Sequence, residues 1–174
     1  MQRTDLQQLP AAIAPPPYTL RQYRAGDEEA WAGLMNHGLG HGWSAHHFWE
    51  RFGRDREFLL GGLFFAEARG TVAGTASAGR GDCGGSVGVV QYVVVAPAHR
   101  GHGLAAPLSA AVLAYLRDQG FESAMLATSE RRLAAIKTYF RLGFTPLYRG
   151  NGDRARWERV LGRVGSHDGK DGVL

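Results

Sequence analysis

One strand-to-helix junction constrains this chain more than any other stretch. From Val93 to Ala105 it reads Val-Val-Val-Ala-Pro-Ala-His-Arg-Gly-His-Gly-Leu-Ala. The β-branched run suits a strand, Ala96-Pro97 ends it, and the alanine- and leucine-rich stretch after Gly103 suits a helix. A glycine-rich turn that opens a helix aims several backbone N–H groups at one point, and the helix dipole adds partial positive charge there. The junction calls for a strand that passes into a helix packed on its own sheet, with a cradle for a phosphorylated ligand between them.

Periodicity on either side supplies the rest of the fold. Tyr18 to Tyr23 predicts a first strand, and Asp27-Glu28-Glu29 an acidic helix start that places Ala30, Trp31, Leu34 and Met35 on one face. Ser44 is expected to cap a second, short helix carrying Phe48, Trp49 and Phe52. Leu63–Ala68 and Thr71–Ala76, joined through Arg69-Gly70, read as a hairpin, with Val87–Val95 as the third strand of a meander. A helix over Gly103–Gln119, a short strand over Ala124–Ala127 and a helix carrying Leu133, Ile136 and Phe140 follow, the last stopped by Gly143. Phe144–Tyr148 and Ala155–Leu161 are expected to close the fold as a second hairpin around Asn151-Gly152.

The resulting order, β-α-α-β-β-β-α-β-α-β-β, predicts a mixed α/β (α+β-like) fold with a mostly antiparallel sheet and one central parallel crossover. Residues 1–17, which end in Ala-Pro-Pro-Pro, read as a flexible lead-in, 18–161 as a single domain, and 162–174 as a disordered tail.

Composition narrows the function classes. The 174 residues suffice for one domain with a sizeable core. No apolar run approaches a membrane span, and the N-terminus lacks the apolar centre of a secretion signal. The lone cysteine, Cys83, cannot form an internal disulfide and reads as incidental, which fits a reducing cytoplasm. The net charge of +4 is carried by scattered arginines, with Lys137 and Lys170 the only lysines, so nucleic acid is not an expected partner. His37, His41, His46 and His47 crowd one segment with Trp43 and Trp49, but no cysteine or paired carboxylate completes a metal set and none is expected. That segment reads either as helix packing or as an aromatic lid over an acceptor.

Gly101-x-Gly103-x-x-Ala106 also matches a loose dinucleotide fingerprint. In a dinucleotide fold the first glycine follows its strand almost at once, and further parallel strands continue the unit. Here Ala96 to Arg100 intervene and hairpins lie on both sides, so the dinucleotide reading is disfavoured.

Arg100-x-x-Gly103-x-Ala105, preceded by Val95-x-Pro97, resembles the Q/R-x-x-G-x-G/A signature of the GCN5-related N-acetyltransferases (GNAT). A second block, Ala135-Ile136-x-x-Tyr139-x-x-x-Gly143-Phe144, is similar to that family's A-I-x-x-Y-x-x-x-G-F helix end. The resemblance runs from about Tyr18 to Leu161 and implies a GNAT-type acyl-CoA N-acyltransferase fold with acetyl-CoA as co-substrate and no metal.

The resemblance also implies roles. Arg100, Gly101, His102, Gly103, Leu104 and Ala105 would hold the coenzyme A pyrophosphate, and Val93, Val94 and Val95 would pair with pantetheine. The Val93 N–H would meet the acetyl carbonyl as oxyanion donor, and Tyr139 would protonate the departing sulfur. Arg132 stands where the family often carries asparagine; it reads as a phosphate contact or an exposed arginine. A primary amine with a pKa of about 10 must lose a proton at neutral pH, at a cost of about 4 kcal/mol. Gln91 cannot take that proton, and Glu67 on the preceding hairpin is the candidate base beside a water relay. The expected activity is acetyl transfer to a primary amine of a small molecule, protein or peptide by direct attack in a ternary complex. Two alternatives stand: an acetyl-CoA-binding regulatory module without turnover, and an acetyltransferase acting on charged tRNA or a protein N-terminus. A homodimer is compatible with either.

Overall fold

The computed structural model describes residues 1–81 and 85–168. Cys83 lies outside them. Among the described residues six strands form one sheet in the order β1-β6-β5-β4-β3-β2. They are β1 (Gln2–Arg3), β2 (Thr19–Gln22), β3 (Leu63–Ala68), β4 (Thr71–Arg80), β5 (Val87–Val95) and β6 (Ser123–Met125). Every pairing is antiparallel except β5 with β6, which are parallel and are joined through a helix. The expected fold class, with its single central crossover, is the observed one.

Among the described residues six α-helices flank the sheet: α1 (Glu28–Gly38), α2 (Ala45–Phe52), α3 (Arg56–Gly61), α4 (Ala105–Asp118), α5 (Leu133–Arg141) and α6 (Asp153–Asp168). The crossover helix α4 buries Leu108, Val112, Leu113 and Leu116 with Ala76, Ala78 and Val90 of the sheet. On the opposite face Trp31 and Met35 of α1 and Phe48 and Phe52 of α2 pack with Leu63, Phe65 and Val94. Central strand β4 is covered from both sides, and Ala73 through Gly79 are all buried. Its small side chains let helices approach on both faces.

Strand β5 carries the feature that positions the site. Thr75 pairs with Val94 and Ser77 with Gln91, so Ala76 alone faces both Tyr92 and Val93. This is a β-bulge, with Tyr92 at φ 51°. The extra residue resets the alternation of the strand: Val90 packs on the α4 side, whereas Tyr92 and Val94 both join the α1–α2 side.

Both ends of the chain depart from expectation. The lead-in is anchored: Gln2 and Arg3 pair with Met125 and Ala124, Gln2 bridges Thr145, and Leu6 is fully buried. The hairpin expected over Phe144–Tyr148 and Ala155–Leu161 does not form, because residues 153–168 are helix α6. The slot beside β6 that such a strand would need is held by β1. The Asp153 carboxylate accepts the N–H groups of Arg149 and Gly150 at 2.7 and 3.1 Å, fixing the turn that starts the helix. Trp157, Val160 and Val164 then recur at helical spacing against the core. Helix α6 also runs through residues 162–168, the described part of the expected tail.

Candidate active site

Strands β5 and β6 pair only over Val87–Ser123, Gly88–Ala124 and Val89–Met125. Strand β6 then ends while β5 continues to Val95, leaving one edge of its second half without a strand partner. The Ala96 N–H is committed to the Ala73 carbonyl on the β4 side. Antiparallel pairing alternates, so the polar groups of Val95 face the open side instead. The Val95 carbonyl accordingly accepts from Arg100 Nε at 3.3 Å.

Two adjoining cavities occupy this opening. One, of about 420 Å3, is lined by Gly38, Val93, Val94, Val95, Arg100, Ala105, Arg132, Ala134, Ala135 and Tyr139. The other, of about 470 Å3, continues past Val95, Arg100 and Ala105 to Gly101, Gly103, Leu104, His99, Lys137 and Arg141. The two share Val95, Arg100, Ala105, Ala134 and Ala135. Together they form one cleft between the end of β5, the start of α4 and one face of α5.

At its basic end the turn adopts the conformation its glycines allow. Gly101 and Gly103 sit at φ 82° and 73°, and a Cβ built on either would meet nothing within 4 Å. Packing therefore does not demand glycine there; the left-handed backbone does. Among the described residues the N–H groups of residues 101–106 donate to no backbone carbonyl. Unspent donors at the start of a helix, beside Lys137 and Arg141, form a site that fits a pyrophosphate.

At the other end Tyr139 is buried beside Val93, its ring edge-on to Phe144 with centroids 6.0 Å apart. Burial pushes its phenol above the ordinary value, and the charge of Arg132 works the other way. The hydroxyl thus stays protonated and able to donate.

The arginines of the cleft brace as well as line it. Arg100 Nη2 donates to the His37 carbonyl at 3.3 Å, and Arg132 Nη2 to the Gly38 carbonyl at 2.9 Å. They hold the end of α1 over the cleft. Gly38 is needed at that contact, because a Cβ there would lie 2.6 Å from a Val94 methyl. His102 is exposed, with Nδ1 3.2 Å from the Arg100 carbonyl, and does not line the cleft.

Glu67 stands apart. The Arg21 guanidinium grips its carboxylate through Nε and binds Asp27 through both terminal nitrogens at 2.7 and 2.9 Å. It lines neither cavity of the cleft, so its carboxylate serves the β2–β3 edge. Lys137, Arg141 and Thr138 were missed from the sequence; they follow Ala134 by helical spacing, which was the available signal.

The family model described as Acetyltransferase (GNAT) family matches residues 22–144. The chain belongs to this family. It is 35% identical over 155 residues to the mycothiol acetyltransferase of Thermobispora bispora, an alignment covering 83% of this chain and 52% of that protein. The mycothiol acetyltransferase of Salinispora tropica is 36% identical over 151 residues, covering 78% and 48%. The chain thus spans about half the length of the curated relatives it matches. Among solved structures, the acetyltransferase yncA of Salmonella typhimurium with its cofactor acetyl-CoA superposes with a TM-score of 0.67 at 22% identity, covering 75% of this chain and 81% of that one.

Proposed function

We propose that this chain transfers the acetyl group of acetyl-CoA to a primary amine of a small molecule, by direct attack in a ternary complex. The observation that carries the reading is the cleft itself: unspent N–H groups of residues 101–106 at one end, Tyr139 and the open edge of β5 at the other. Mycothiol acetyltransferases are among the relatives, which supports a small-molecule amine as acceptor.

Acetyl-CoA, when bound, supplies an activated acyl group on a thiolate leaving group. The chain's own residues do the rest. Residues 101–105 hold the pyrophosphate through backbone N–H groups, and Val95 offers its ladder groups to the pantetheine arm. Those of Val94, opposite Thr75, turn to β4 instead and are not available for the pairing expected from the sequence. The Val93 N–H stabilises negative charge developing on the carbonyl oxygen, a contribution of about 3 kcal/mol for one well-aimed donor. The Tyr139 hydroxyl gives its proton to the sulfur. With Glu67 engaged by Arg21, the amine proton leaves through water. No helix among the described residues is long and apolar enough to cross a membrane.

The test is a thermal-midpoint series with acetyl-CoA, free coenzyme A and NAD(P)H, followed by an amine screen for thiol release. Dose-dependent stabilisation by both coenzyme A species alone, with release on adding an amine, is expected. Stabilisation by NAD(P)H instead would overturn the reading, and binding without release on any amine would leave a sensor.

A further inference from the structure

The loop joining α1 to α2 is built as a closed frame. Asn36 clasps Trp43 from both sides: Nδ2 donates to the Trp43 carbonyl and Oδ1 accepts its N–H, each at 2.9 Å. Arg100 and Arg132 hold the carbonyls of His37 and Gly38 at the loop's start. Within it, Gly40 and Gly42 turn the chain at φ 110° and 90°. A loop pinned at both ends loses little further entropy when it binds something.

The frame borders an open pocket of about 290 Å3, distinct from the coenzyme cleft and lined by His41, Trp43, His47 and Arg51 together with the loop backbone. Its charged and titratable groups are all nitrogen bases, and no carboxylate lines it. The Arg51 guanidinium lies over the Trp43 ring, 5.7 Å from its centre, within the range of a cation–π contact that uses the ring face and not the N–H groups. His47 Nδ1 is 2.9 Å from Ser44 Oγ, so one ring nitrogen is engaged and Nε2 remains. The chain passes directly from the cleft to the pocket. Gly38 lines the cleft and Leu39 lines the pocket, while Trp43 packs edge-on to Tyr92, the residue before Val93.

We propose that this pocket selects acceptor amines that carry an oxyanion, a carboxylate or a phosphate, on the arm remote from the amine. The proposal rests on the acetyl-transfer reading and adds a substrate class to it. A guanidinium fork matches either oxyanion through paired N–H donors, and the two histidines supply more. The Arg51 charge also repels an acceptor whose second group is cationic, which turns the lining into a filter as well as a grip.

The experiment is calorimetric titration of the full chain saturated with coenzyme A, using matched amines: glycyl-phenylalanine against its C-terminal amide, and O-phosphoethanolamine against ethanolamine. An anionic member should bind about tenfold or more tighter than its neutral partner, and the advantage should fall to within about twofold in Arg51→Gln. Which pair shows the larger preference identifies the oxyanion. Coenzyme A affinity should be unchanged in that variant, whose exposed side chain also leaves the thermal midpoint in place. Equal binding within both pairs, no binding of either pair, or a preference that survives both Arg51→Gln and His47→Gln would overturn the proposal. The same titrations without coenzyme A separate the two readings. An Arg51-dependent anion preference in a chain that fails to bind coenzyme A would keep the pocket and remove the transfer reading.

Discussion

Arg132 reaches from the N-cap of α5 to the carbonyl of Gly38, the last residue of α1, over 2.9 Å. Ninety-four positions of sequence separate the two, and the contact closes the α1 end over the cleft that α5 lines. A guanidinium at a helix C-terminus also meets the negative end of the α1 dipole. The contact is exposed, so its value lies in holding the mouth rather than in folding energy. Arg132→Ala should cost no more than about 1 kcal/mol in denaturant unfolding. The same variant should weaken acetyl-CoA binding by about threefold to tenfold, read by titration. A large stability loss with unchanged binding would assign Arg132 to the fold alone.

Tyr139 is the proton donor of the proposed chemistry, and its phenol is raised by burial. The competent form is the neutral one, present below the raised value and lost above it. An ordinary phenol would begin to fail at about pH 10, so kcat should show no tyrosine-dependent fall below that pH. Tyr139→Phe should lower kcat about 100-fold with little change in acetyl-CoA affinity. Thiols of lower pKa need less help as leaving groups, so acyl donors with such thiols should recover part of the loss. An unchanged kcat would make Tyr139 a packing residue beside Phe144.

The core of this site was legible because its signals are local. A β-branched run, Pro97 and two glycines set the β5–α4 junction, and each acts within a few residues. Residue spacing likewise gave the α5 face with Tyr139. What was not legible depends on competition for places in the sheet. Ala155–Leu161 reads as a strand after Asn151-Gly152, yet Trp157, Val160 and Val164 also fit a helix. Occupation of the slot beside β6 by Gln2–Arg3 decides between them, and no local pattern announces a strand of that length. Helix α3 was missed for a similar reason: it spans only Arg56–Gly61 and starts after Asp55 in a left-handed conformation. Glu67 was assigned to chemistry because its partner Arg21 lies far away in sequence and is brought opposite only by the pairing of β2 with β3.

The Arg21 network makes a pH-dependent contribution to stability. Burial alone would push the Asp27 carboxyl up, but hydrogen bonds from Arg21 and the Arg24 N–H, with the arginine charges, hold it below the ordinary value. A depressed carboxyl stabilises the fold above its unfolded pKa of about 4, and that stability is lost as pH falls through the lower folded value. Asp27→Asn should therefore cost about 2 kcal/mol at pH 7. The gap between variant and wild type should close on acidification below pH about 4. Unfolding free energies measured from pH 7 down to 3 would show it, and a gap that stays constant would mean the loss is one of packing.

The N-terminal segment supplies the last test, because it reads as a loose lead-in yet packs into the core. Gln2–Arg3 add an edge to β6, the Leu126 N–H donates to the Met1 carbonyl at 3.0 Å, and Arg3 donates to the Leu142 carbonyl at the end of α5. Leu6 has no exposed surface and belongs to the same core as Leu104, Ile136, Tyr139 and Phe144. Removing its side chain leaves a cavity in that core as well as losing its transfer free energy. Leu6→Ala should lower stability by about 3 kcal/mol in denaturant unfolding. For a flexible lead-in the same substitution would cost less than about 0.5 kcal/mol. Because that core also carries Tyr139, the variant should lose kcat at temperatures near its lowered midpoint and recover it on cooling. A loss of kcat that persists well below the midpoint would mean that the segment positions Tyr139 directly.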